Sequence, residues 1–164
     1  MQHFTCATRI ESAFVSIVDT QTTLAGYEEV WQEKTMGQSS VCFWVIDDDL
    51  QFGKSLRRML NCRGFRAEYF GSAQSFLDSV PPGQPGYAIV DIRMPGYDGF
   101  QLIRKMQDLH YGMPVILMTG HLESDARDRA VQSGAIGFLQ KPFSGDSLLE
   151  LIYKQEMEES DREP

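Results

Sequence analysis

Short apolar segments recur at regular intervals from about residue 41 onward. Five of them have the length and composition of strands: Val41–Ile46, Ala67–Phe70, Tyr87–Val90, Val115–Met118 and Ile136–Leu139. The first is apolar at every position, which is typical of a strand buried on both faces of a parallel sheet. Between the segments, apolar residues return every three or four positions, as in helices. This alternation predicts an α/β fold with crossover connections.

Capping residues mark the ends of the predicted helices. Gly64 follows the first helical stretch, and Ser72 and Asp98 stand at N-cap positions before the second and third. The fifth stretch begins near Ser144. The fourth, Ser124–Ser133, is only weakly amphipathic, and three small or medium-sized residues form its apolar face: Ala126, Ala130 and Val131.

The amino-acid composition is that of a globular domain with an acidic balance of charge. The 164 residues are 42% hydrophobic, and 23 acidic against 15 basic residues give a formal charge of −8. DNA-binding domains are more often basic, so this balance argues against direct DNA contact. The three cysteines have no zinc-site spacing and favour a reducing, cytoplasmic compartment.

The sequence shows no membrane-spanning or signal segment. Apolar stretches are shorter than the roughly 20 residues of a membrane helix, and Arg9 and Glu11 interrupt any signal peptide.

Polar residues stand at the C-terminal ends of four predicted strands. An acidic triplet, 47–49, follows the first strand, Asp91 ends the third, Thr119 ends the fourth and Lys141 follows the fifth. Taken singly, each is more often a turn, cap or loop residue. Parallel strands, however, bring their carboxyl ends to one edge of the sheet, where open α/β sheets bind ligands. Their joint position therefore predicts a single site.

The chemistry of these residue types agrees with such a site. Several carboxylates in one crevice repel one another unless a cation lies between them. Mg²⁺ suits oxygen ligands and keeps positions for water and a substrate phosphate. A carboxylate can attack phosphorus to form an aspartyl phosphate, and the Lys141 ammonium and Thr119 hydroxyl can bind the phosphoryl oxygens. We therefore expect Mg²⁺-dependent phosphoryl transfer.

Four motifs resemble those of the CheY-like receiver domain of bacterial response regulators. They are VIDDD at 45–49, VDIRMPGYDG at 90–99, ILMTGH at 116–121 and FLQKPF at 138–143. The resemblance runs from about Val41 to Tyr153, and the last two motifs are most similar to the FixJ-type branch. It implies a flavodoxin-like fold, with a five-stranded parallel sheet in the order 2-1-3-4-5 and helices on both faces, as in CheY. It also implies a cis peptide bond between Lys141 and Pro142.

The resemblance implies an acceptor and a metal site. Asp91 matches the phosphoacceptor of the family. Asp47 and Asp48 match the acidic pair that binds Mg²⁺ together with the acceptor, and the backbone carbonyl of Arg93 would complete the protein ligands. The expected cofactor is therefore Mg²⁺.

It also implies the residues that respond to phosphorylation. Thr119 matches the hydroxyl that moves toward the phosphoryl group, and Lys141 matches its cationic partner. Phe138 stands at the aromatic switch position. Arg93 and His121 occupy the two positions that border the path of the attacking water in this family.

The implied function is that of a two-component signalling switch. A histidine kinase or phosphotransfer protein would supply the phosphoryl group. The chain would catalyse its own phosphorylation and dephosphorylation, and would not be an enzyme with a separate substrate. Its output would be a protein partner or a self-dimer, bound through the face formed by the fourth helix, fifth strand and fifth helix. FixJ-type regulators normally continue into a DNA-binding domain, and none is expected in this chain.

Two other classes of protein remain open at this point. Hydrolases of the haloacid-dehalogenase type also use Asp, Thr, Lys and Mg²⁺ through an aspartyl phosphate. Their DxDx[TV] motif would require Thr or Val where Gln51 stands. A purely structural adaptor would use the fold without chemistry, and the intact set of acidic residues argues against it.

Three segments are expected: an N-terminal extension of uncertain structure at 1–40, the receiver domain at 41–155 and an acidic tail at 156–164. Thr8 and Glu11 have the spacing of a capping box. The extension could be a docking or dimerising helix pair, or a fragment of an upstream domain. A start codon placed too early is slightly favoured, because Met36 stands where a receiver domain normally begins.

Overall fold

The computed structural model describes residues 41–121 and 126–160, and of residues 156–160 it describes the backbone. The expected extension at 1–40, with its helical patterns and Met36, lies outside the described residues. Residues 122–125, where the fourth helix was expected to begin, and the end of the acidic tail at 161–164 lie outside them too.

The described residues form one parallel sheet. Its strands are β1 (Cys42–Ile46), β2 (Arg66–Phe70), β3 (Gly86–Asp91), β4 (Val115–Thr119) and β5 (Gly137–Gln140). They are arranged in the order β2-β1-β3-β4-β5, and each neighbouring pair is parallel. The predicted strand order is therefore confirmed. The observed bounds differ from the predicted ones by about one residue, and β3 and β4 extend to include Asp91 and Thr119.

Helices follow the strands in the described part of the chain. They are α1 (Leu50–Cys62), α2 (Ala73–Ser79), α3 (Gly99–Asp108), α4 (Ala126–Gln132) and α5 (Gly145–Ser160). Ser72 caps α2 by accepting from the Ser75 N–H. Asp98 caps α3 and forms a capping box with Gln101. Both predicted caps are confirmed, because they depend on local backbone geometry.

Apolar side chains cover both faces of the sheet, since neighbouring residues of a strand point in opposite directions. On one face, Trp44 of β1 packs beside Phe76 of α2. On the other, Phe43 packs edge-on against Phe65. The continuous apolar segments predicted buried strands, and β1 and β4 are buried at every position.

Helix α4 differs from its predicted amphipathic pattern at one position. Ala126 and Ala130, four positions apart, are buried, whereas the Val131 side chain is 72% exposed. A residue one position further along lies about 100° around the helix axis, so Val131 leaves the narrow apolar face and points to solvent. The expectation that Val131 belongs to that face was wrong. Within the described part of the chain, no helix combines the length and apolar character that crossing a membrane requires.

Candidate functional site

The carboxyl ends of the central strands bring the predicted residues to one edge of the sheet. Asp91 is the last residue of β3, and Thr119 is the last residue of β4. Asp47 directly follows β1, and Lys141 directly follows β5. The backbone N–H of Lys141 donates to the Thr119 carbonyl at 2.8 Å, which ties the end of β5 to that of β4. The peptide bond between Lys141 and Pro142 is cis, as predicted.

Asp47 is buried and held at each of its polar groups. Its Oδ1 accepts from the Asp49 N–H at 2.9 Å, and its Oδ2 pairs with the Lys141 ammonium at 2.6 Å. Its backbone carbonyl accepts from the Tyr69 hydroxyl at 2.9 Å, and its N–H donates to the Phe70 carbonyl at 3.0 Å. This residue is therefore positioned by its own loop, by β2 and by the segment that follows β5.

Lys141 lies between two carboxylates. Its Nζ is 2.6 Å from Asp47 Oδ2 and 2.9 Å from Asp91 Oδ1. Burial disfavours the charged form, but the hydrogen bonds and charges of the two aspartates outweigh it and raise the Lys141 pKa above its usual value. The side chain therefore stays a cation and relieves the expected repulsion between the carboxylates.

Asp91 is only 5% exposed. Its Oδ2 accepts from the Arg93 N–H at 3.0 Å, and its Oδ1 pairs with Lys141. Burial raises the Asp91 pKa above its usual value, and the Lys141 ammonium opposes that rise. The result is a poorly hydrated carboxylate that is oriented by two donors.

Three carboxylates converge closely enough to hold a cation. Asp47, Asp48 and Asp91 each offer one oxygen, and these oxygens all lie within 4.8 Å of one another. Asp48 is exposed while the other two are buried, so the cluster is open on one side. Oxygen donors with an open side suit Mg²⁺, which keeps part of its water shell. Arg93 lines the adjoining cleft together with Asp48.

The residues of the site fit a known family. The family model for the response regulator receiver domain matches residues 43–153. The chain belongs to this family. The match covers the carboxyl ends of all five strands and all of the residues in the acidic site, so the receiver domain accounts for both the fold and the site.

Curated relatives agree with the assignment of a receiver domain. FixJ of Bradyrhizobium diazoefficiens, a transcriptional regulatory protein, is 39% identical over 109 residues, which are 66% of this chain and 53% of FixJ. NtrC of Klebsiella pneumoniae, a DNA-binding transcriptional regulator, is 38% identical over 109 residues, 66% of this chain and 23% of NtrC. The match thus spans about half of one relative and about a quarter of the other.

Solved receiver structures share the fold. The crystal structure of FixJ-N aligns with a TM-score of 0.62 at 32% identity, over 69% of this chain and 90% of FixJ-N. A CheY-like receiver domain protein from Methanospirillum hungatei aligns with a TM-score of 0.65 at 27% identity, over 76% of this chain and 98% of that chain. The predicted flavodoxin-like class is therefore confirmed.

The two residues predicted to respond to phosphorylation lie on β4 and β5, the strands that lead into the acidic site of the receiver domain. Thr119 is buried, and its hydroxyl donates to the His121 carbonyl at 3.1 Å while accepting from the His121 N–H at 3.2 Å. This hydroxyl is therefore engaged with its own loop. Phe138 is half-buried and packs against the hydrophobic core. It thus starts from a partly inward position.

Two side chains of the site escaped prediction. Phe52 lies in α1 and carries no polar group, yet its ring centre lies 4.3 Å from the Lys141 ammonium. Tyr69 belonged to an apolar strand segment, yet its hydroxyl reaches the Asp47 carbonyl. The polar tip of a tyrosine in a strand segment was the available signal, because a phenol that packs against the protein usually finds a hydrogen-bond partner.

Proposed function

We propose that this receiver domain accepts a phosphoryl group on Asp91 in a Mg²⁺-dependent reaction and thereby switches its contacts with other proteins. The observation that carries the proposal is the position of the Lys141 ammonium between Asp47 and Asp91, with Asp48 completing a three-carboxylate cluster. A structural cap or turn requires no such convergence. The donor is proposed to be a histidine kinase or phosphotransfer protein.

Each residue of the site has a separate role in the proposed phosphoryl transfer. An Asp91 carboxylate oxygen attacks phosphorus, and an O–P bond forms as the bond from phosphorus to the donor's leaving atom breaks. Mg²⁺, held by Asp47, Asp48, Asp91 and the Arg93 carbonyl, would neutralise charge on the phosphoryl oxygens. Lys141 keeps its 2.6 Å bond to Asp47 and offers its remaining donors to a phosphoryl oxygen.

Thr119 and Phe138 carry the change to the surface. The Thr119 hydroxyl exchanges its bond to the His121 carbonyl for one to a phosphoryl oxygen. This movement vacates space beside β5 into which Phe138, already half-buried, turns further. The face of α4, β5 and α5 is then the surface that changes, and its partner is an output protein or a second copy of the chain.

The transfer is stoichiometric, so the domain is proposed to be a switch and not an enzyme acting on a separate substrate. We place it in the cytoplasm, which agrees with the free thiols of Cys42 and Cys62 in the described residues. Membership of the receiver family weighs against the haloacid-dehalogenase alternative.

Labelling by acetyl phosphate tests the proposal. The parent chain should accumulate one phosphoryl group per chain in the presence of Mg²⁺, and Asp91→Asn should accumulate none because an amide is not a nucleophile here. Asp108→Asn, an equally small change at an exposed carboxylate at the end of α3, should label as the parent does. Full labelling of folded Asp91→Asn would refute the acceptor. Continuous phosphate release at a rate limited only by acetyl phosphate would favour the hydrolase instead.

A further inference from the structure

Tyr69 connects the edge strand β2 to the acidic loop. Its hydroxyl donates to the Asp47 carbonyl at 2.9 Å, across 22 positions of sequence. That carbonyl belongs to the peptide unit that joins Asp47 to Asp48. The hydrogen bond therefore fixes the orientation of the peptide plane that leads into the Cα atom of Asp48.

The direction of the Asp48 side chain depends on this peptide plane more than the direction of the Asp47 side chain does. The Asp47 side chain is held by the Asp49 N–H and by Lys141. Among the described residues, none donates a hydrogen bond to the Asp48 carboxylate, and Asp48 is exposed. Its direction toward the Asp47 and Asp91 carboxylates is thus set mainly by the backbone on which it stands.

Gly53 makes room for the Tyr69 ring. A Cβ atom at Gly53 would lie 2.1 Å from Tyr69 Cε2 and 2.5 Å from Cδ2, so the ring or the helix would have to shift. Glycine inside a helix is unfavourable, yet Gly53 lies within α1. The bare backbone at this position allows the ring to pass over the first turn of α1 and reach the loop. The two residues therefore act together.

We infer that Tyr69 is a positioning residue for the metal site: its hydroxyl holds the Asp47–Asp48 peptide so that the Asp48 carboxylate faces the other two. The inference rests on the proposed function, because it concerns the carboxylates proposed to bind Mg²⁺. Tyr69 does not itself contact the metal or the phosphoryl group. It acts through the backbone of the residues that do.

Two isosteric variants of the full chain separate positioning from general stability. Tyr69→Phe removes the hydroxyl and keeps the ring beside Gly53. Tyr111→Phe is the matched control. Tyr111 lies in the loop before β4, at the opposite end of the strands, and its hydroxyl donates to the Val80 carbonyl at 2.7 Å, with the Leu77 carbonyl at 3.5 Å. Each variant loses the hydrogen bonding of one phenol to backbone carbonyls, so both should lower the melting temperature, Tyr111→Phe at least as much as Tyr69→Phe.

The measurements are Mg²⁺ affinity by calorimetry and, without metal, the carbonyl ¹³C shift of Asp47 and amide exchange at Asp48 and Asp49. Tyr69→Phe should weaken Mg²⁺ binding about tenfold, the lower end for residues that support metal ligands, shift the Asp47 resonance and speed exchange at both amides. Tyr111→Phe should leave all three unchanged.

The outcomes distinguish this inference from the function on which it rests. If the parent binds no Mg²⁺ saturably, the proposed metal site fails and this inference with it. If the parent binds Mg²⁺ and folded Tyr69→Phe binds it equally well, the metal site stands and the positioning role is refuted. Equal weakening by Tyr69→Phe and Tyr111→Phe would also refute it, because the effect would then be one of stability.

Discussion

The ammonium of Lys141 lies 4.3 Å from the centre of the Phe52 ring. This contact places an aromatic face on one side of a cation whose other contacts are the carboxylates of Asp47 and Asp91. The ring of Phe143 packs edge-on against Phe52, with centroids 5.6 Å apart. The cation is 16% exposed, so the rings help to shield it from water.

Replacing Phe52 by leucine should slow phosphorylation. A cation–π contact of this kind is worth about 0.5–2 kcal/mol, so Lys141 should be less firmly placed and the labelling rate should fall roughly two- to thirtyfold. The initial rate with acetyl phosphate at saturating Mg²⁺ measures this. Phe143→Leu is the control, because it leaves Phe52 above the ammonium and should slow labelling less. Equal rates for Phe52→Leu and the parent would contradict a role for the ring.

Alanine at Gly53 should destabilise the fold although alanine is the better helix former. The gain in helix propensity is about 1 kcal/mol, whereas the clash with the Tyr69 ring should cost about 1–3 kcal/mol and displace that ring. Urea unfolding measures the free energy of unfolding. In a Tyr69→Ala background the ring is absent, and the same Gly53→Ala change should become stabilising. A loss of stability that is the same in both backgrounds would exclude the ring as its cause.

Hydrolysis of the phosphoryl group should be slow. Arg93 and His121 stand at the two positions that border the path of the attacking water in the family, and both side chains are large and exposed. Replacing both by serine opens that path, so the acyl phosphate should decay several-fold faster, as followed by loss of label after removal of the donor. Arg104→Ser with His110→Ser, two exposed changes outside the site, should decay as the parent does. A double variant at 93 and 121 that keeps the parental lifetime would refute the prediction.

Activation should change the surface formed by α4, β5 and α5. Ala126 and Ala130 are the residues that α4 buries, and Arg129 stacks at 4.4 Å on the Phe100 ring of α3. Few large buried contacts mean little resistance to a shift of this helix. Beryllofluoride, which stands in for the phosphoryl group on Asp91, should raise the mass measured by light scattering toward that of a dimer and alter amide exchange in 126–153.

Asp91→Asn controls for effects of the reagent, since it should bind no beryllofluoride and show neither change. An unchanged mass with beryllofluoride bound would exclude self-association and leave a different protein as the partner. Unchanged amide exchange as well would exclude the switch itself.

The sequence by itself determined the elements and the edge of the sheet that carries the site. Continuous apolar segments became buried strands, and Ser72 and Asp98 became N-caps, because periodicity and capping depend on residues close together in the chain. The placement of Asp91 and Thr119 at strand ends followed from the same local pattern. The order of the strands came from the resemblance of four motifs to a known family, and the sheet confirmed it.

Only the tertiary structure decided which side chains meet. Lys141 bonds to Asp47 across 94 positions, and the Tyr69 hydroxyl reaches the Asp47 carbonyl through space left by Gly53. The solvent-facing direction of Val131 was likewise settled by how α4 packs. Such contacts depend on the paths of crossover connections and on side-chain directions that are set by packing. The spacing of residues along the chain shows neither the paths of these connections nor the directions of the side chains. The roles of Gly53 and Tyr69 near the acidic site therefore became visible only in the folded molecule.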